Sequence, residues 1–306
     1  MSIIVNLSGF DIDGYRKPDG KKNNTPWYIK SNSLTSNSDY GANTGVGNYL
    51  FQLSACLALA WDNNTELYCP SIKTWCDKDN EKIEKELTIW RNIKTDQLIT
   101  NKIVKVPHGF HPNIFKYSPN TKYVGYFQCF KYFDHHQKRL QNFFGPNSDD
   151  LKYIYSKYKH YLDKKTCSLH VRKGKDFEEI ARRWNPEFIL RKGYYDKAIN
   201  FIKDKVELFL VFSDNIPYCK KLFTNENYPD INFVFIRERD FIDMWIISLC
   251  DHHITSNSTF SWWGTYLSKS ESKIIVAPNK SVFLEKKNKE ILKKTYYFED
   301  WILFDE

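Results

Sequence analysis

The sequence predicts an α/β fold built around a parallel, doubly wound sheet, and three observations point there. From Leu151 onward, short β-branched or aromatic apolar runs alternate with amphipathic stretches at strand–helix–strand spacing. Upstream, a glycine turn, "GVGN", opens an apolar pattern of helical period. The chain has 306 residues, about twice a typical domain, so two domains or one large α/β unit is the starting expectation.

In chain order, "SIIVNLSG" reads as a first buried strand, a β-branched run stopped by glycine. Residues 10–44 are rich in Gly, Asn, Ser, Asp and Lys and read as a long loop, a length that is usually functional. "GVGNYLFQLSACLALAWDNN" reads as a buried helix with apolar positions from Leu50 to Ala60, entered through a turn whose N–H groups can face an anion. Between 65 and 145 only "YVGYFQ" reads as a strand. A helix over Leu151–Leu162 follows. After it come "TCSLHVR", "YYDKAINFIKD", "ELFLVFSD", "IPYCKKLFT", "INFVFI", "FIDMWIISLCD", "HHITSN", "STFSWWGTYLSKS" and "KIIVAP", strands and helices in turn. The domain boundary is expected at 155/156, with the C-terminal tail packing back on the first domain.

Composition is that of a globular protein: 42% hydrophobic, 27% charged and 17% aromatic residues. The net charge of +8 is spread along the chain, which suits a polyanionic small ligand or an acidic surface and does not indicate nucleic acid. Seven cysteines lie scattered at 56, 69, 76, 129, 167, 219 and 250 without a Cys-x-x-Cys pair, which argues against a disulfide framework or a structural zinc site. "MSIIVNLSGF" is too short an apolar run for a signal peptide, and no stretch reaches the ~18 apolar residues of a membrane span. The expectation is a cytoplasmic protein, with a peripheral membrane contact left open and the oligomeric state unassigned.

In open parallel sheets, ligands bind beyond the carboxyl ends of the strands. Three segments sit at such ends: His170-Val-Arg172-Lys173-Gly174, Ser213-Asp214, and Ser256-Asn257-Ser258-Thr259. Arg172 leaves a buried strand toward a glycine, where a guanidinium can grip a phosphate through two parallel hydrogen bonds, or pair with a carboxylate at the sheet edge. A helix beginning near Thr259 gives the Ser/Thr cluster its purpose: the hydroxyls cap, and the positive helix end seats an anion. Trp262 and Trp263 then anchor that turn in the core.

The segments "GVGNYLFQLSACLALA", "VGYFQCFKYF", "SLHVRKGKDF", "YYDKAINFI", "FLVFSDNIPYCKK" and "DMWIISLCDHHITSNSTFSWWGTYL" resemble, in order, those of family 11 glycosyltransferases, the α-1,2-fucosyltransferases. The resemblance runs from Gly45 to the closing "YYFEDWILF". It implies a GT-B-type fold, two Rossmann-like domains facing a cleft, with an N-terminal acceptor-side domain and a C-terminal nucleotide-sugar-binding domain. It also implies GDP-fucose as donor substrate with no cofactor and no metal, a glycan acceptor with a β-galactoside hydroxyl, and inversion at the anomeric carbon. By position, His170 and Asp214 would meet the guanosine, Arg172 the pyrophosphate, and Asn257, Ser258 and Thr259 the phosphate seat. Gly47 and Asn48 would approach the donor from the other domain.

The chain departs from the family pattern His-x-Arg-Arg-Gly-Asp: Lys173 replaces the second arginine, and Lys175 shifts the acid to Asp176. The catalytic set is therefore Arg172 with a general base among Asp176, Glu178 and Glu179, Asp176 first. The 10–44 loop is a further departure, expected to shape the acceptor side.

Rival readings remain at this stage. A metal-dependent transferase would use Asp11-Ile-Asp13 or, less well, Asp77-Lys78-Asp79. "DHH" at 134–136 and "CDHH" at 250–253 suggest zinc, although adjacent histidines on a strand face opposite ways. Other nucleotide-sugar donors, or a non-catalytic nucleotide-sugar or glycan-binding module, also fit. Asn257-Ser-Thr is formally a glycosylation sequon inside the phosphate seat, where a glycan would block it.

Overall fold

The structure is a computed structural model and describes residues 2–5, 45–69, 74–76, 82–84, 88–96, 102–184, 186–279 and 289–305. The loop expected at 10–44 lies outside the described residues. The chain divides into two compact units, Met1–Gln137 and Lys138–Glu306.

The first unit holds β1 (Ser2–Val5), α1 (Val46–Asp62), β2 (Glu66–Tyr68), β3 (Thr74–Cys76), β4 (Lys82–Glu84), β5 (Lys102–Lys105) and β6 (Thr121–Val124). Four of these strands form a parallel sheet in the order β2-β1-β6-β5, and β3 and β4 pair antiparallel. Helix α1 joins β1 to its parallel neighbour and buries Leu50, Phe51, Leu53, Ala55, Cys56 and Ala58 completely, as a helix apolar on every face must. β2 to β5 escaped the sequence reading because they are three or four residues long and half polar; β5, "KIVK", is a lysine-flanked edge strand. The strand expected over "YVGYFQ" ends at Val124 instead. Phe127 adopts a left-handed conformation (φ 53°), so the ladder cannot continue through it.

The second unit is entered through α2 (Gln137–Phe144) and α3 (Ser148–Leu162). Asn147 caps α3: its Oδ1 accepts from the N–H groups of Asp149 and Asp150 at 2.9 Å, and its own N–H donates to Asp150 Oδ2 at 2.8 Å. This reciprocal cap starts the helix three residues ahead of Leu151. There follow β7 (Thr166–Val171), α4 (Lys175–Trp184), α5 (Lys192–Ile202), β8 (Leu208–Ser213), α6 (Ile216–Leu222), β9 (Phe233–Ile236), α7 (Asp240–Leu249), β10 (His252–Ile254), α8 (Thr259–Tyr266), β11 (Ile275–Pro278), α9 (Lys289–Tyr296) and β12 (Ile302–Phe304).

The six strands are all parallel, in the order β12-β11-β10-β7-β8-β9. Counted from the β9 edge this is third, second, first, fourth, fifth, sixth, the strand order of the Rossmann fold. β7 and β8 are buried along their whole length, as central strands covered on both faces must be. The α/β class with two parallel-sheet units is therefore what the chain adopts. The boundary lies at Gln137/Lys138 and keeps α3 whole in the second unit. The closing tail, expected to pack back on the first domain, is found as β12 at the edge of the second sheet, paired with β11. No described helix is long and apolar enough to cross a membrane.

Candidate active site

The chain leaves β7 toward β8 and β9 on one side, then returns to lay β10, β11 and β12 on the other. The direction reverses between β7 and β10, which opens a crevice at their carboxyl ends. Register places Ile254 beside Leu169 and Ser213 beside Val171. The three expected segments thus leave neighbouring strands at one edge.

Two side-chain contacts tie them together. At the β7–β8 side, the Arg172 guanidinium donates to Asp214 Oδ2, and the Lys173 N–H donates to Asp214 Oδ1 at 2.7 Å. Burial alone would push the Asp214 carboxyl up; the Arg172 charge, with the Lys173 and Gly174 N–H groups, outweighs it and holds the group below the usual carboxylate range. Arg172 also lies over the Phe177 ring, 5.5 Å from its centre. At the β7–β10 side, the buried His170 bonds Ser256 Oγ through Nδ1 at 2.7 Å.

The serine-rich turn is organised from within. Ser258 is the N-cap of α8, its Oγ accepting from the Phe260 N–H at 3.3 Å. Ser261 Oγ accepts from the Ser256 N–H at 3.2 Å and donates to the Ser258 carbonyl at 3.1 Å. Asn257 donates through Nδ2 to the Phe188 carbonyl at 2.9 Å, while its buried Oδ1 meets no donor. Thr259 is buried beside them. Behind the turn, Trp262 donates to the Tyr296 carbonyl at 2.8 Å and stacks on Tyr266 at 5.0 Å, and Trp263 is fully buried. Gly264 lets α8 approach α7: a Cβ there would stand 2.6 Å from Ile247 Cγ2. Two tryptophans and a glycine therefore set the height of the α8 N-terminus above the sheet.

Asp176 and Glu178 of the "KGKDFEE" stretch fall in the first turn of α4, an end at which acids complement the helix dipole. Glu178 is paired with Lys173 at 2.6 Å and Arg182 at 3.1 Å. Lys173, which replaces the family's second arginine, thus neutralises one of the candidate bases. Asp176 is the second residue of α4, and Glu179 is exposed on it.

In the first unit, Gly47 and Asn48 lie in the first turn of α1, and Asn48 Oδ1 accepts from Gln128 Nε2 at 2.9 Å. Gln128 Oε1 is buried with no hydrogen-bond partner, as are both amide atoms of Gln52, one turn further along α1. Buried amide atoms of this kind are what a ligand or an ordered water satisfies. The sequence reading missed Gln128 and Gln52 because it took the first for a strand residue and the second for core. The left-handed Phe127 beside Gln128 is a backbone constraint that local sequence does not announce.

Asp11, Asp13, Asp77 and Asp79 lie outside the described residues. The two histidine pairs behave differently. His252 and His253 are on β10 and turn to separate partners, the Ile274 N–H at 3.0 Å and Ser168 Oγ at 2.8 Å. His135 and His136 sit in a 3₁₀ turn, Asp134–His136, and not on a strand, so the argument that they must face opposite ways does not hold for them. Both reach Asp62.

The sequence pattern of glycosyl transferase family 11 matches residues 27–303. Among curated proteins, the chain is 29% identical over 280 residues to the O-antigen biosynthesis glycosyltransferase WbnK of Escherichia coli, covering 77% of this chain and 92% of that protein. It is 30% identical over 168 residues to an Escherichia coli alpha-1,2-colitosyltransferase, covering 52% of this chain and 55% of that protein. Among solved structures, it is similar to POFUT1 in complex with GDP, with a TM-score of 0.48, 10% identity, and 90% and 97% of the two chains covered. Similarity to the fucosyltransferase NodZ from Bradyrhizobium has a TM-score of 0.44 and 13% identity, with 72% and 88% covered. With the motifs standing at adjacent strand ends and the family pattern spanning most of its length, this chain is a glycosyltransferase and belongs to glycosyl transferase family 11.

Proposed function

We propose that the chain is an inverting, metal-independent transferase that moves fucose from GDP-fucose to a glycan hydroxyl, the 2-OH of a galactose residue. The observation that supports this best is that Arg172 and the capped start of α8 follow the carboxyl ends of the adjacent strands β7 and β10, at the reversal point of the sheet, with His170 and Ser256 hydrogen-bonded between the two segments. A guanidinium and a helix N-terminus are together a diphosphate receptor. As the glycosidic bond breaks, GDP leaves with increasing negative charge. Preorganised donors at that point stabilise it where other transferases employ a divalent ion.

In this reading Arg172 holds the pyrophosphate while Ser258 and Thr259 meet the β-phosphate. His170 and Asp214 serve the nucleoside side, and Asp214 also fixes the orientation of the guanidinium. Asn257 offers an acceptor as well as a donor. One of its two amide N–H groups donates to the Phe188 carbonyl, which fixes the amide, and its buried Oδ1, still without a donor, can only accept. A sugar or ribose hydroxyl, or a base N–H, is its natural partner. Asp176 takes the acceptor proton, because Glu178 is already neutralised by two cations.

A second reading, a different donor sugar at the same site, is favoured by the similarity to an alpha-1,2-colitosyltransferase. Incubating the purified protein with GDP-fucose, GDP-colitose or other GDP-linked sugars and a β-galactoside, followed by linkage analysis, tests both. The proposal expects GDP release, a 1,2-linked fucosyl product and an anomeric configuration opposite to the donor's. Transfer only from another donor would support the second reading. Donor binding with neither transfer nor hydrolysis would replace both with a binding module.

A further inference from the structure

Asp62, the last residue of α1, and the consecutive His135 and His136 converge on one point of the first unit. His135 Nε2 lies 2.9 Å from Asp62 Oδ2, and His136 Nε2 lies 2.7 Å from Oδ1. One ligand atom from each residue falls within 4.8 Å of the others. In the 3₁₀ turn Asp134–His136 adjacent side chains leave the axis about 120° apart rather than on opposite faces as on a strand, and the two rings lie with their centres 4.5 Å apart. Trp61 packs edge-on against His136 at 5.2 Å and holds that ring in place.

The electrostatics of α1 supply an independent argument. It is a 17-residue helix with no basic residue in its last turn, and it ends on a carboxylate. The partial negative charge of a helix C-terminus favours a cation there, and an acid at that end adds to the need. One metal ion bound by the two imidazoles and the carboxylate supplies that positive charge.

We propose that Asp62, His135 and His136 form a binding site for one divalent transition-metal ion of the Zn²⁺ class, which clips the end of α1 to the turn that precedes α2. Ligand atoms around a tetrahedral ion with bonds of about 2.0–2.1 Å stand roughly 3.3–3.4 Å apart, so the two histidine–carboxylate contacts would open by about half an ångström to admit one. Two nitrogens and one oxygen suit Zn²⁺, Co²⁺ or Ni²⁺ and do not suit Mg²⁺ or Ca²⁺, which take oxygen ligands. Asp62 and His135 are exposed, which leaves further coordination positions to water. The clip belongs to the first unit and is separate from the metal-independent chemistry proposed above.

The test uses the full-length protein, stripped with chelator and dialysed, and titrated with Zn²⁺ by calorimetry. Saturable binding of one equivalent is expected, accompanied by a melting temperature higher by a few degrees and unaffected by excess Mg²⁺. His135→Gln, His136→Gln and Asp62→Asn should each weaken binding at least about tenfold. Their folding is checked by circular dichroism in EDTA. The wild-type protein loaded with Co²⁺ decides the matter independently of any variant: a nitrogen–oxygen ligand spectrum supports the site. A strong thiolate-to-cobalt band, absence of saturable binding, or unchanged affinity in all three variants would overturn it.

Discussion

Asp214 grips two consecutive residues at the end of β7, accepting from the Arg172 guanidinium with Oδ2 and from the Lys173 N–H with Oδ1 at 2.7 Å. The carboxylate thereby fixes both the side chain that would meet a diphosphate and the backbone that carries it. Its own position is fixed by the strand pairing that sets Ser213 beside Val171. The guanidinium's aim is therefore a property of two strands and does not depend on a flexible loop.

This pairing should be visible as a pH effect on stability. The folded-state pKa of Asp214 is held below the value of a free carboxyl, 3.8. Its contribution is thus present above that value and lost as pH falls through the lower folded one. Asp251 and Glu238 are also held low and add to the same acid loss, so the comparison must be between wild type and Asp214→Asn. The variant is expected to be less stable by roughly 1–3 kcal/mol at neutral pH, and the difference should narrow below about pH 4. Urea midpoints across pH would show this; parallel curves would mean that the ion pair contributes nothing.

Glu178 and Asp176 should separate in steady-state kinetics. With Glu178 tied to Lys173 and Arg182, Glu178→Gln is expected to keep kcat within about threefold, whereas Asp176→Asn should lower it by roughly 10²–10⁴ with little change in donor KM. The reverse ranking would transfer the proton-accepting role to Glu178.

Packing behind the proposed phosphate seat offers a third test. A Cβ at Gly264 would press on Ile247 Cγ2 at 2.6 Å, so Gly264→Ala should lower stability by about 1–3 kcal/mol. Trimming the opposing side chain in Gly264→Ala/Ile247→Ala should recover part of that loss, read as a coupling energy from denaturant midpoints. Additive losses would show that the two residues do not press on each other.

Transfer is expected to survive chelation. Turnover from GDP-fucose in excess EDTA should stay within about twofold of that in buffer containing Mg²⁺, because Arg172 and the start of α8 supply the positive charge. A loss restored by Mg²⁺ or Mn²⁺ would show that the leaving group needs a metal.

The second unit was far more legible in sequence than the first. Its strands are buried on both faces and read as continuous apolar runs, "LFLVFS" and "IVAP" among them, and its candidate ligand residues sit where those runs stop. The first sheet is spread over short, half-polar strands such as "ELY" and "KIVK", whose existence rests on tertiary pairing. Helix α4 goes unseen in the sequence, where its stretch offers only the candidate bases Asp176, Glu178 and Glu179, because its charges mask the apolar positions. What sequence could not show were side-chain convergences across long separations: Gln128 with Asn48, and Asp62 with two histidines more than 70 residues away. The argument that His135 and His136 must face opposite ways assumes a strand where a 3₁₀ turn forms.

The most direct test of the central claim is calorimetric binding of GDP and of guanosine to wild type and to Arg172→Lys. If Arg172 and the α8 N-terminus share one diphosphate, wild type prefers GDP strongly, and the lysine variant loses at least about tenfold in GDP affinity while guanosine binding is unchanged, since an ammonium cannot reproduce the bidentate grip. Equal binding of GDP and guanosine by wild type, or undiminished GDP affinity in the variant, would contradict it.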